Sequence, residues 1–228
     1  MQPYLFPYIG YFQLINHVDK FVIFDDVQYI KRGWINRNYI LLDGEPHLFT
    51  FPVKKASQNK LINEMEFFIE EKKKEKFIKL LRHAYSKAPY FNDVLPLIKE
   101  IVLTNEADLV KFIELSLKKL TAYLNIDTSF MKSSQIPKSD NLQAQNQIIE
   151  ICETLEAKEY INLIGGKEIY DPQTFEEKEI DFYFIKSKEI KYNQFNNKFV
   201  PNLSIIDILM FNSINKIDEL LKQYELLK

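Results

Sequence analysis

The chain has 228 residues, of which 46% are hydrophobic and 14% aromatic, enough to bury one sizeable core. Its 30 basic and 32 acidic residues leave a formal charge of −2, so no overall field recruits nucleic acid or an anionic membrane surface. A single cysteine, Cys152, excludes an internal disulfide and any zinc site built on several thiolates, and no apolar run approaches the roughly 18 residues of a membrane span.

No positively charged start followed by an apolar stretch marks a signal peptide, so a soluble, cytoplasmic protein is expected. Pro3 and Pro7 fix φ and bias their predecessors away from helix, which makes residues 2–9 an extended loop. Tyr11, Phe12, Leu14, Ile15 and Val18 then follow helical spacing and predict a short amphipathic helix. Phe21-Val22-Ile23-Phe24 is an apolar run without that spacing and reads as a strand buried on both faces. After a loop over 27–34, arms at 36–42 and 45–53 flank Asp43-Gly44, a dipeptide suited to a type I′ hairpin turn. Leu61–Ile69 predicts a further strand.

From Glu70 to Leu124 the pattern is helical. EEKKKEKFIKLLRHAYSK places acids before bases, in agreement with the helix dipole, and Ala88-Pro89 ends it. Two more helices are expected over about 90–103 and 106–124. KSSQIPKSDN (132–141) reads as a polar linker. Beyond it come a helix over about 142–156, a strand over 160–164 running into Gly165-Gly166, a short helix at 172–178 and a strand at 180–186. Ser204 is a natural N-cap for a helix over 205–211, and 214–227 reads as a last amphipathic helix. The fold class is therefore α/β: one domain over 1–228 with a mixed sheet, a β-hairpin near the N-terminus, flanking helices, a helical middle segment over about 70–131 and the linker at about 132–141.

Asp25 and Asp26 directly follow the strand at 21–24, where open α/β sheets bind their ligands. Consecutive strand residues point to opposite faces, so one carboxylate can act as a base or substrate contact while the other caps a turn; a structural role for both is the competing reading. Lys31, Arg32 and Arg37 lie close to Asn36 and Asn38. Guanidinium groups grip phosphate or carboxylate bidentately, amides donate and accept, and Trp34 can stack on a sugar or base. These residues predict an anion clamp, against the plainer alternative of a solvated charged loop. Gln2, Tyr4, Tyr8 and Tyr11 make a polar-aromatic loop that suits carbohydrate recognition or, equally, closure of a core.

His83, in RHAYSKAPYF, is either a general base or a satisfied structural histidine. No HxxxH or HExxH spacing occurs, and no metal site is expected. Gly165-Gly166 after a strand could admit a phosphate, although neither GxGxxG nor GxxxxGK[ST] is present. Ser133-Ser134 has no GxSxG context, and Cys152 on an apolar helix face reads as core.

Taken in order, QPYLFPYIGYF, DKFVIFDDVQYIKRGWINRN, HAYSKAPYF, YINLIGGKEIYD, YNQF and FVPNLSIIDILMFN resemble the WbqC-like protein family over nearly the whole chain. The resemblance implies an association with O-antigen and other surface-polysaccharide biosynthesis, for which a glycine transferase role on a sugar amine has been proposed. It singles out Gln2, Pro3, Tyr11, Asp25, Asp26, Gln28, Arg32, Asn36, Arg37 and Asn38, and farther on His83, Tyr85, Asn162, Gly165, Gly166, Tyr192, Gln194, Ser204 and Asp207. In that family a short apolar strand precedes the QP loop, so the resemblance also implies a strand ahead of Gln2.

The expected function is a transferase in surface-polysaccharide biosynthesis that attaches an aminoacyl (glycyl) or acyl group to an amino-sugar or nucleotide-sugar. Such chemistry requires a base for the amine and donors facing the developing oxyanion. Asp25 or His83 is the expected base, with Asn36 and Asn38 orienting the sugar or the oxyanion. Lys31, Arg32 and Arg37 are expected to hold phosphates. Gln2, Tyr4, Tyr11, Asp26, Gln28, Trp34, Tyr85, Asn162, Gly165, Gly166, Tyr192 and Gln194 are the further substrate contacts. The donor is a carrier-protein thioester or an aminoacyl-tRNA; no cofactor is expected, with Mg²⁺ on a pyrophosphate left open. The rivals are a Rossmann-like nucleotidyltransferase or ligase, for which HxGH is missing, and a non-catalytic sugar-binding module.

Overall fold

The computed structural model describes all residues except 140, 141, 143, 196 and 197. The proline loop ends at Tyr8, whose extended backbone opens helix α1 (Ile9–His17). Gly10 in α1 has no room for a side chain, because a Cβ there would lie 2.9 Å from Ser187 Oγ and 2.5 Å from the Tyr8 ring. Strand β1 (Lys20–Ile23) follows, then the hairpin β2 (Arg37–Leu42) and β3 (Glu45–Thr50). Asp43 (φ 52°) and Gly44 (φ 82°) both take positive φ, as a type I′ turn requires.

The helical middle comprises α2 (Glu71–Tyr85), α3 (Phe91–Val102) and α4 (Leu109–Tyr123), the last capped by the Asp108 carboxylate on Lys111 N at 3.0 Å. Strand β4 (Ser129–Lys132) then leads to α5 (Ala144–Thr154), β5 (Glu159–Leu163), α6 (Pro172–Glu176) and β6 (Asp181–Ser187). Ser204 caps α7 (Ile205–Phe211), accepting from Ile206 N. The chain ends in α8 (Ile214–Leu221) and β7 (Tyr224–Leu227).

The strands form three sheets. β1 pairs in parallel with β4, placing Phe21 opposite Phe130 and Ile23 opposite Lys132. The hairpin is a sheet of its own. The mixed sheet is β5-β6-β7, parallel between β5 and β6 and antiparallel between β6 and β7. The α/β class with a mixed sheet and a hairpin therefore stands, although it is β7 and not the hairpin that mixes the sheet. A large apolar cluster joins α1 to α4, α7, α8 and the hairpin, while a smaller one packs Phe24 with Ile148, Ile151 and Cys152 of α5 and with Phe175, Phe182 and Phe184. No helix of the described residues is long and apolar enough to cross a membrane.

Three expectations are corrected. Leu61–Ile69 is not a strand: Leu61 N donates to Glu64 Oε2 at 2.7 Å and winds Ile62–Glu64 into a 3-10 turn. Single bridges then tie Leu61 to Gln28, Glu66 to Asp108 and Phe67 to Val53, three different neighbours that build no ladder. The linker at 132–141 begins inside structure, since Lys132 ends β4 and Ser133–Gln135 forms a second 3-10 turn; its residues Asp140 and Asn141 lie outside the described residues. The final helix stops at Leu221, and Tyr224–Leu227 pairs with β6 as a strand.

Candidate functional site

β1 has β4 on one edge, and β5 has β6 on one edge. Residues of both strands, Lys20–Val22 and Tyr160–Leu163, line a cleft of about 1250 Å³. Its side walls are mainly helical: Leu14 and His17 from α1 with Val18 just after it, and Ile148, Ile151, Cys152 and Leu155 from α5 and the turn after it. The two ends differ in chemistry. At the amino ends of the strands the rim is charged, with Asp19, Lys20, Lys158 and Glu159. At the carboxyl ends the mouth carries Gln2, Gln28, Trp34, Asn162, Gly165, Gly166 and Tyr170. The carboxyl ends of parallel strands are where α/β folds place their ligands.

The mouth is built by short-range chain chemistry. Asn162, the last residue but one of β5, has its Oδ1 accepting from Leu163 N at 2.8 Å, which leaves its Nδ2 without a hydrogen-bond partner among the described residues. A Cβ on Gly166 would come within 3.2 Å of the Tyr170 ring and 3.3 Å of Asn162 Nδ2, so glycine is what lets both side chains reach that turn. Nothing crowds Gly165. Trp34 is 45% exposed and stands beside Tyr39 and the Arg37 guanidinium, 5.7 Å from its ring. Tyr4 and Tyr8 line the cleft farther in, and burial pushes the Tyr8 phenol up to about 12, with Tyr4 adding to the shift. Gln2, Tyr4, Gln28, Trp34, Asn162, Gly165 and Gly166 are thus brought to one cleft from distant parts of the chain.

The remaining expected residues stand elsewhere: Asp25, Asp26, Asn36, Asn38, Arg37, Tyr11, Tyr85, Tyr192 and Gln194 have polar atoms engaged by the protein itself, while Lys31, Arg32 and His83 are exposed. Asp25 is 1% exposed; its Oδ1 accepts from Ser134 N at 2.9 Å and its Oδ2 from Ser134 Oγ at 2.7 Å, while its own N–H donates to Ser133 Oγ. It caps the turn after β4. Asp26 meets Ser133 Oγ and pairs with Lys138 Nζ at 2.5 Å. Asn36 accepts from Tyr29 OH and donates to Phe51 O at 2.7 Å, closing the base of the hairpin. Asn38 donates to Phe6 O at 2.8 Å. Ser204 Oγ donates to the same carbonyl, and together they hold Phe6 at its left-handed φ of 45°.

Arg37 Nε donates to Gly33 O at 3.0 Å and its Nη2 to Arg32 O, so the guanidinium staples a loop in which Arg32 itself has positive φ. Lys31 and Arg32 are exposed and line no part of the cleft. The expected anion-and-sugar pocket shared by Asp25, Asn36, Asn38 and Arg37 is therefore not formed. Tyr11 is wholly buried with its OH donating to Gln2 O at 2.8 Å, and His83 lies exposed on α2, away from the cleft.

Tyr85, Tyr192 and Gln194 form a separate centre around Asp207, which is 0% exposed. Tyr85 OH donates to Asp207 Oδ1 at 2.8 Å, and Tyr192 OH and Gln194 Nε2 donate to Oδ2 at 2.7 and 2.6 Å. Leu41 N in turn donates to Tyr85 OH, which links the hairpin, α2, α7 and the segment after β6 through one carboxylate. Burial raises the pKa of Asp207 above 3.8 against the opposing pull of these three donors, and burial also lifts both tyrosines.

Two participants escaped the sequence reading. Tyr170 stands inside the YINLIGGKEIYD stretch but carries no spacing signal of its own. Ser133, the hydroxyl between the two aspartates, looked like part of a linker. Among the described residues, no group of three or more His, Cys, Asp or Glu side chains could hold a metal ion.

A family model described as "WbqC-like protein family" matches residues 2–219. Among curated proteins, an uncharacterized protein of Mycobacterium tuberculosis (strain ATCC 25618 / H37Rv), Rv1507c, is 29% identical over 206 residues, covering 89% of this chain and 88% of that protein. No solved structure matches.

Proposed function

This chain belongs to the WbqC-like protein family, and from that premise we propose that it is a transferase of surface-polysaccharide biosynthesis whose amino-sugar or nucleotide-sugar substrate binds at the mouth of the cleft. The group transferred is aminoacyl, glycyl in the simplest case, or acyl. The observation that carries the reading is the meeting of Gln2, Gln28, Trp34, Asn162, Gly165 and Gly166 at the carboxyl ends of β1 and β5. Carbohydrate recognition calls for an apolar ring to cover one face of the sugar and for groups that both donate and accept around its hydroxyls. Trp34 and Tyr170 supply the rings, and three carboxamides supply the hydrogen bonds. Asn162 Nδ2, with no protein partner among the described residues, is the donor available to a developing oxyanion.

A specific observation also favours a second reading, a non-catalytic sugar-binding module. Asp25 is saturated by serine donors, and His83 stands outside the cleft, so neither expected base reaches the mouth. One experiment separates the readings. A thermal-shift panel of nucleotide-linked amino-sugars, free amino acids and ATP reads binding, since a ligand at a thousandfold over its Kd adds about 4 kcal/mol. A shift with the amino-sugar nucleotide, lost in Trp34→Ala, supports binding at the mouth. An acylated sugar formed on adding a glycyl or acyl donor supports the transferase, and its absence supports the module. A shift with ATP alone overturns both.

A further inference from the structure

The inner face of α2 buries Phe77, Ile78, Leu81, Ala84 and Tyr85, and its outer face is cationic. Lys72, Lys76, Lys79 and His83 recur at i, i+4, i+7 and i+11, a stripe about 16 Å long at 1.5 Å per residue, with Lys73 on one flank and Arg82 on the other. All of these side chains are exposed. Glu75 is the one acid among them, since Glu71 is engaged by the buried Lys74 at 2.8 Å. Helical lysines elsewhere in the chain close a pair three or four residues away: Lys111 with Asp108, Lys118 with Glu114, Lys216 with Glu219 and Lys222 with Asp218. The exposed cations of α2 pair with no carboxylate among the described residues. Lys76 has Lys72, Lys73 and Lys79 as its charged neighbours at helical spacing, and like charges so placed destabilise a helix. A destabilising charge gathered on one face calls for a partner that supplies the opposite sign. Beside the stripe stands Phe68, 53% exposed, with the Lys73 ammonium 6.0 Å from its ring centre.

We propose that the outer face of α2, together with Phe68, docks on an anionic lipid surface. A charged surface senses a protein only within about one Debye length, roughly 8 Å at physiological salt, so the net charge of −2 on the whole chain does not offset this local cluster. The shape of the face selects a lipid surface over a partner helix. From Arg82 to Lys73 the cations span about half the circumference of α2, at 3.6 residues per turn, whereas a partner helix offers a stripe of roughly 100°. A field of headgroups gives every one of these side chains an anion, because long lysine and arginine stems reach to the surface from either flank. Phe68 supplies the apolar part. An exposed ring beside cations settles at the boundary between headgroups and acyl chains, where its apolar area leaves water.

The inference stands apart from what the mouth of the cleft binds. It is tested by sedimentation with vesicles of phosphatidylcholine alone and of phosphatidylcholine mixed with phosphatidylglycerol. The protein should bind the anionic vesicles at about 0.1 M salt and not the neutral ones. It should be released toward about 1 M, as the Debye length shrinks from about 10 to about 3 Å. Each lysine near such a surface is worth about fivefold in binding, so reversing two charges in Lys76→Glu/Lys79→Glu should weaken it at least about tenfold. Phe68→Ala should weaken it about threefold or more and leave the salt dependence in place. These variants alter only exposed side chains, and the Tm of the lysine variant should hold or rise as like-charge neighbours are removed, so loss of binding is read from a folded protein. No binding to the anionic vesicles, equal binding to the neutral ones, or unchanged binding of Lys76→Glu/Lys79→Glu overturns the proposal. So does a single-stranded RNA or polyglutamate bound as tightly as the anionic vesicles.

Discussion

Replacing Asp207 by alanine tests how much of the fold hangs on one buried carboxylate. The substitution takes the acceptor from Tyr85 OH, Tyr192 OH and Gln194 Nε2 at once. A buried donor left without a partner costs about 1–3 kcal/mol. Tyr85 is wholly buried and bears the full cost. Tyr192 and Gln194 border a second, smaller cavity through which water can reach them, so theirs is partial. The sum is about 3–5 kcal/mol, a large part of the roughly 5–15 kcal/mol that stabilises a typical domain. At about 2–4 °C per kcal/mol for a chain of this size, Tm should fall by about 6–20 °C. Urea unfolding is the assay: the midpoint should drop with the slope unchanged. Tyr85→Phe, which also strands Leu41 N, should cost about 1–3 kcal/mol on the same scale. An Asp207→Ala protein within about 0.5 kcal/mol of the parent would refute the idea that this carboxylate ties the hairpin to α2 and α7.

Three other outcomes follow from the same geometry. Because burial raises the folded-state pKa of Asp207, its contribution is complete below the ordinary value of 3.8 and declines as pH rises through the raised value; the margin of the parent over Asp207→Asn in urea unfolding should therefore shrink as pH increases from about 3. Asp25→Asn should lower Tm, since Ser134 N and Oγ lose a charged acceptor, yet keep the ligand-induced thermal shift, whereas a base at the mouth would lose it. Cys152, buried with its thiol pushed up to about 12, should resist alkylation at pH 8 in the native protein and react promptly in urea; fast native labelling would contradict its placement against α6 and β6.

Much of the frame was legible from residue patterns. The Asp43-Gly44 turn, the three helices ended by Ala88-Pro89 and by Leu124, and the Ser204 cap all carry local signals, and local signals survive folding. The strands that escaped notice lack them. Ser-Phe-Met-Lys of β4 is short, half-exposed and held by a single neighbour, so it shows no alternation, and the Leu-Leu of β7 fits a helix until β6 captures it. The site divides in the same way. Gln2, Gln28 and Trp34, singled out by residue type, and Asn162, singled out by the resemblance, line one cleft, whereas Asn36, Asn38, Tyr85, Tyr192 and Gln194 spend their polar atoms on the fold. The arginine cluster was not a clamp because Arg37 finds backbone carbonyls of its own loop within reach, a partnership that composition cannot reveal.

The most direct measurement of the central claim is calorimetric titration of a nucleotide-linked amino-sugar into the parent, Asn162→Ala and Lys31→Ala proteins. Loss of one or two hydrogen bonds at the mouth should weaken binding about tenfold or more in Asn162→Ala, while Lys31→Ala, exposed and outside the cleft, should bind as the parent does. Equal affinity in Asn162→Ala, or a loss confined to Lys31→Ala, would contradict a sugar site at the carboxyl ends of β1 and β5.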